Sequence, residues 1–289
     1  IIFGRCLTAP VHNGSCQLAI GISTDFWIVG NANFNVGIGT TNPDPAVGVG
    51  NTAKLSVGIV SAYQYYGDGS NLTGAGFSQD AQGNLVAGTN AGAAKDSDTC
   101  FNILIGCNVG CSLNAGDRNV FLGCGVGRNT TSGENNIAMG YDALATNVSG
   151  GQNVALGYNA LAQSTGSSNV AIGEAALYTM GSGGCNVGAG QGAGRGITTG
   201  SFNVMLGKDP GQSVASGSFN FFGGYFAGKC AADSGCNIFI GQYAGKCVTS
   251  GHTNVAMGRE ALRSSSLTGC YNIAFGCSSG RDITSGLRN

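Results

Sequence analysis

Asn136-Ile-Ala-Met-Gly-Tyr-Asp-Ala-Leu144 is followed seventeen residues later by Asn153-Val-Ala-Leu-Gly-Tyr-Asn-Ala-Leu161. Each segment reads asparagine, three apolar residues, then glycine. Twelve such segments start at Asn84, Asn102, Asn119, Asn136, Asn153, Asn169, Asn186, Asn203, Asn220, Asn237, Asn254 and Asn272, spaced 16 to 18 residues apart and mostly 17. The fourth residue after each Asn is always glycine, from Gly88 to Gly276. The seventh is small, usually alanine, and the eighth is always glycine or leucine, as in Gly194 and Leu144. A further glycine commonly sits three residues before the Asn. The unit is too short for helical repeats of about 33–47 residues. Its apolar triplet is β-type by its Val, Ile, Phe and Leu content, and glycine on both sides stops it after about four residues. Short strands at a fixed spacing describe the coils of a parallel β-solenoid, stacked at about 4.8 Å. Twelve coils predict a rod of about 55 Å at that spacing.

The triplet also predicts how the coil is covered. Side chains alternate across a strand, so the first and third residues after the Asn share one face: Val120 with Leu122, Ile137 with Met139, Ile238 with Ile240. The second points the other way and is apolar too, as in Phe121, Ala138, Met205, Phe222 and Phe239. A strand buried on both sides reads as a continuous apolar run. One face suits the coil interior. A thin coil has little else to cover the other, so an identical chain is the natural cover and an oligomer is expected. The twelve asparagines fit a stacked amide ladder in which each donates to the next coil. Asn and Gly also tolerate left-handed backbone at corners. Twelve identical copies favour this structural role over a binding one. One strong triplet and one weaker Ala-Gly/Leu step per unit predict a flat two-strand roll. The six-residue subperiod of a three-sided hexapeptide β-helix is missing.

Composition agrees with a repeat. The chain has 289 residues, 53 of them glycine, and only 9% are charged, with a net charge of −1; about 25% charged is usual. No basic stripe for nucleic acid appears along the chain, and no run of about 18 apolar residues predicts a membrane span. Glycine lacks the strict triplet period of collagen. With 42% apolar residues disorder is not expected. Residues 1–83 lack the repeat and form a separate β-rich connector or collar; 84–289 form the repeat domain. In the N-terminal region, Gly, Asn-Pro and Asp-Gly turns separate the short strand signals at Val36-Gly-Ile38, Leu55-Ser-Val57 and 58–62.

Two features of these regions carry a resemblance. The units 136–144 and 153–161 resemble the head repeats of YadA-type trimeric autotransporter adhesins, and similar repeats occur in phage tail fibres. Val36-Gly-Ile-Gly-Thr-Thr-Asn-Pro43, followed by Lys54-Leu-Ser-Val57 and Gly67-Asp-Gly-Ser-Asn-Leu-Thr-Gly74, resembles connector segments of phage fibres, particularly from marine phages. Together they cover about residues 31–280. The resemblance implies an all-β fold: a left-handed parallel β-roll of about twelve coils, with three identical chains around one axis. It implies a virion appendage that contacts other virion proteins and a glycan or protein receptor on a host surface. The alternative is a bacterial trimeric autotransporter-type adhesin head at the cell surface. A polysaccharide-degrading tailspike is a third reading.

Little in the sequence points to catalysis. His12 and His252 belong to no metal pattern, and no cofactor, metal or membrane partner is expected. Glu134 and Asp117 are 17 residues apart and should be neighbours on stacked coils, where a glycosidase needs two carboxylates. Solvent-facing loop charge is the plainer reading. Gly188-Ala-Gly-Gln-Gly-Ala-Gly194 lacks the Gly-Lys-Ser/Thr ending of a phosphate loop. Cys107 and Cys124 share one repeat position, as do Cys230 and Cys247. At coil spacing each pair falls within the Cα range of a disulfide; free thiols filling ladder positions are the other reading. Cys100, Cys107 and Cys111 form no CxxC zinc pattern. Tyr141, Tyr158, Tyr225 and Tyr243 follow the fixed glycines, where packing between coils competes with sugar binding.

Overall fold

In the computed structural model, residues 79–264 and 266–286 are described in full, and five short strands within 2–57 by backbone alone. The chain divides into two compact units, Ile1–Asn71 and Leu72–Asn289. The first contains a five-stranded sheet in chain order: β1 (Ile2–Phe3), β2 (Leu18–Ile22), β3 (Asp25–Gly30), β4 (Val36–Ile38) and β5 (Leu55–Val57). The central pairings, β2 with β3 and β3 with β4, are antiparallel; the outer two are parallel. The expected strands at 36–38 and 55–57 are β4 and β5. Segments 58–62 and 67–74, and His12, lie outside the described residues.

The second unit is a parallel β-solenoid. Twelve strands, from β6 (Leu85–Ala87) to β17 (Ile273–Phe275), form one parallel sheet in chain order over about eleven turns. Among the described residues there is no helix. Register follows the motif. Val154 pairs with Ile137, Ala155 with Ala138 and Leu156 with Met139. The 16-residue step from Asn153 to Asn169 and the 18-residue step from Asn254 to Asn272 keep the same register, Val154 on Val170 and Val255 on Ile273. The return segment therefore absorbs the length change while the strand stays in phase.

Positions are counted from the asparagine as zero. The core is built from +2 together with +7, +8 and +11, as in Phe121, Val126, Leu144 and Met180, all fully buried. Residues +2 and +8 share one space. Where +2 is large, +8 is glycine: a Cβ on Gly127 would lie 2.4 Å from the Phe121 ring, one on Gly228 2.5 Å from Phe222, and one on Gly245 2.3 Å from Phe239. Where +2 is Ala138, Ala155, Ala171 or Ala256, +8 is Leu144, Leu161, Leu177 or Leu262. Interiors tolerate neither voids nor overlap, so these coils trade volume between two positions; where +2 is Gly188 or Ala274, the glycine at +8 instead leaves room for Leu177 or Leu262 of the preceding coil. Phe222 and Phe239 stack inside with centroids 5.0 Å apart.

Every described residue with positive φ falls at −1, +4, +6 or +8. Two corners thus flank the strand, and left-handed backbone at +6 and +8 is incompatible with a second strand. The return segment is a series of turns, so the expected two-strand roll is not formed. Its backbone is satisfied coil to coil instead: Leu144 N donates to Ala160 O (2.9 Å) and Leu161 N to Ala176 O (3.0 Å). The invariant +4 glycine has a second cause besides φ. A Cβ on Gly106 would sit 1.7 Å from the Gly123 carbonyl oxygen. In the last coil, Gly276 has nothing within 4 Å of that position, so the crowding comes from the stacked neighbour.

Candidate functional site: the columns of the solenoid

Stacking turns each repeat position into a column, so a site built from the repeat is a stripe. The innermost column is the asparagine ladder, in which all twelve residues are buried. The Nδ2 of Asn119 donates to Asn102 Oδ1 (3.1 Å) and to the Gly133 carbonyl (2.8 Å), while its backbone N also donates to Asn102 Oδ1 (2.9 Å). One amide proton thus reaches back to the preceding coil and the other forward to the next. Two donors and two acceptor sites exhaust the capacity of the amide. The asparagines themselves do not occupy the left-handed positions. Those at −1 and +6, such as Asn135 and Asn159, do.

The first rung is capped by a residue that lies outside the repeat pattern. Asp80 accepts from Asn84 N (2.8 Å) through Oδ1 and from Asn84 Nδ2 (3.2 Å) through Oδ2, replacing the missing preceding asparagine. Lys95 pairs with the same carboxylate at 2.9 Å. Burial alone raises the Asp80 carboxyl, but these hydrogen bonds and the lysine charge outweigh it and hold the pKa at about 2. The signal was present in the sequence as an Asp four residues before the first Asn.

The strand face carries two apolar columns at +1 and +3. Ile137, Met139, Ile172, Ile238, Ile240 and Met257 are 36–45% exposed, and Ile273 and Phe275 about 60%. The −1 corner adds exposed rings at Phe101, Phe202, Phe219 and Tyr271. Phe202 and Phe219 stack at 5.0 Å. These residues line up as a stripe along the sheet rather than as single scattered side chains.

The other columns are mostly structural. Cys107 stacks on Cys124 in register, and Cys230 Sγ lies 3.8 Å from Cys247 Sγ. All four are free thiols. Burial and the neighbouring Cys107 push the Cys124 thiol up, and burial with Cys247 does the same for Cys230. Asp117 and Glu134 do meet, but on Arg118, which ion-pairs with both. One Asp117 oxygen also accepts from Cys100 N at 2.8 Å. His252 Nδ1 accepts from Gly235 N at 2.9 Å, which gives it a place in the coil stack. Tyr141 and Tyr158 stack outside at 5.6 Å, while Tyr225 and Tyr243 meet edge-on at 5.4 Å. Among the described residues, no three His, Cys, Asp or Glu side chains gather as a metal site. The chain matches no known protein family, no curated protein and no solved structure.

Proposed function

We propose that this chain is a structural, non-enzymatic segment of a phage tail fibre, a homotrimeric β-solenoid rod that carries a host-recognition surface. The observation that carries the reading is the strand face. Twelve parallel strands present apolar side chains, many half-exposed in the single chain, in a column at +1 and in a second at +3 that only Gly223 interrupts. Burial of apolar area is worth roughly 25 cal/mol per Å², and the regular stripe suits self-association of identical chains. The resemblance to adhesin heads and phage connectors supplies the number three and the fibre setting. Mass photometry of the purified chain tests it: a trimer that persists on dilution is expected, and a stable monomer overturns the reading.

A further inference from the structure

The net charge of −1 conceals an axial separation. Residues 84–185 carry three basic and six acidic side chains, and residues 186–286 carry seven basic and four acidic. In the first half Lys95, Arg118 and Arg128 are each ion-paired, with Asp80, Glu134 and Asp142. In the second half five of the seven basic residues occupy one position, +9: Arg195, Lys229, Lys246, Arg263 and Arg281. Only Gln212 interrupts the series. Position +9 belongs to the return segment, separated from the strand by the buried +7 and +8 residues. Ser213 N donates to the Lys229 carbonyl (2.8 Å) and Cys230 N to that of Lys246 (2.9 Å), which ties these residues coil to coil.

The lysines lie on aromatic faces. Lys229 Nζ is 4.4 Å from the Phe226 centroid and Lys246 Nζ 4.9 Å from that of Tyr243. Tyr225, Phe226 and Tyr243 form one ring cluster with centroids 4.3–5.9 Å apart. Among the described residues, Arg195, Lys229 and Lys246 make no ion pair. Glu260 pairs with Arg263 (2.8 Å) and Arg281 (3.4 Å), and Asp282 follows Arg281 at +10. Asp209 and Glu260 share the +6 column with Phe226 and Tyr243, one at each end of the ring cluster, and Asp233 lies at +13.

We propose that this column binds a linear anionic polysaccharide running along the coil axis, with carboxylates or sulfates on the +9 cations and sugar rings on the Tyr225–Phe226–Tyr243 cluster. From Lys229 to Arg281 one cation recurs per coil at about 4.8 Å, close to the length of one pyranose unit. Duplex DNA offers a phosphate every 3.4 Å along each strand, out of step with that pitch. Flat apolar ring faces beside fixed positive charge suit a polymer that is both ringed and anionic. The proposal rests on the rod reading only in leaving the return segment open to solvent.

Binding of labelled polygalacturonate to the full chain at low salt tests the proposal, with dextran and oligothymidylate as controls. Polygalacturonate should bind, and binding should weaken as salt screens the column. Dextran and oligothymidylate should bind far less. Lys229→Ala/Lys246→Ala should weaken binding about tenfold, with an unchanged circular dichroism spectrum. Lys208→Ala/Arg259→Ala removes the same charge from position +5, outside the column, and should leave binding unchanged. No polygalacturonate binding, equal loss in both double variants, or equally tight oligothymidylate binding overturns the proposal. Mass photometry reads assembly separately, so a trimer that does not bind refutes the ligand alone.

Discussion

At Asn153 one side chain closes four hydrogen bonds. Its Oδ1 accepts from the backbone N (3.0 Å) and Nδ2 (3.3 Å) of Asn169, and its Nδ2 donates to Asn136 Oδ1 (3.1 Å) and Gly166 O (3.0 Å). Aspartate has nearly the same shape but no donor, and it places a charge at a fully buried site. Asn153→Asp should therefore cost about 3 kcal/mol or more, and more than Asn153→Ala, in chemical denaturation. Asp80 makes the converse case. It tolerates a carboxylate at the head of the ladder because both of its oxygens receive donors and Lys95 neutralises it. Its pKa is depressed from 3.8 to about 2. The stability it contributes is thus fully present above about pH 3.8 and is lost as pH falls through about 2. Amide exchange at Leu85–Ala87 should accelerate in that window, ahead of strands deep in the array.

At the scale of the coil, the twelve glycines at +4 and the Gly/Leu choice at +8 have different causes. Gly127, Gly228 and Gly245 at +8 answer the ring at +2 within their own coil, whereas Gly194 and Gly280 leave room for Leu177 and Leu262 of the preceding coil. The +4 glycine answers the backbone of the next coil. Gly123→Ala places a Cβ 1.9 Å from the Gly140 oxygen at φ +136, whereas Gly276→Ala meets no atom within 4 Å at φ +107. The first should unfold or misstack neighbouring coils, while the second should cost only the φ strain, roughly 1–2 kcal/mol. Thermal midpoints of the two variants, compared with the parent chain, separate the two terms. The Gly/Leu alternation was visible in the sequence as a pattern. Its reason was not, because the partner at +2 is six residues away and meets +8 only when the coil closes. The second strand expected from the Ala-Gly/Leu step failed for a related reason. Side chains such as Leu144 and Tyr243 held at φ 55 and 60 are turn residues, and composition alone does not report left-handed backbone.

For the whole molecule, the proposed self-association rests on the exposed stripe at +1 and +3. Ile238→Asp/Ile240→Asp puts two charges on that face without touching the core, since Phe239 between them carries the interior packing. The double variant should shift the proposed oligomer to monomer in mass photometry while keeping the β signal in circular dichroism. The variant tests the face itself, whereas the parent chain tests the assembly. The +9 column belongs to the same scale. Read along the chain, its basic residues stand about 17 apart and look like scattered single charges. Stacking brings them to neighbouring coils, so the absence of a basic stripe in the linear sequence said nothing about the surface.

The repeat alone determined the parallel solenoid, the strand register, the buried asparagine ladder and the inward and outward faces of each triplet. All of these follow from local period and side-chain alternation, which are written into neighbouring residues. The tertiary structure alone decided that each coil has one strand, that the +8 residue is matched to the side chains it meets, and that the basic +9 residues stand in one column. Each of these depends on which residues meet after the chain has travelled around a coil, and that meeting is set by closure and stacking rather than by sequence proximity.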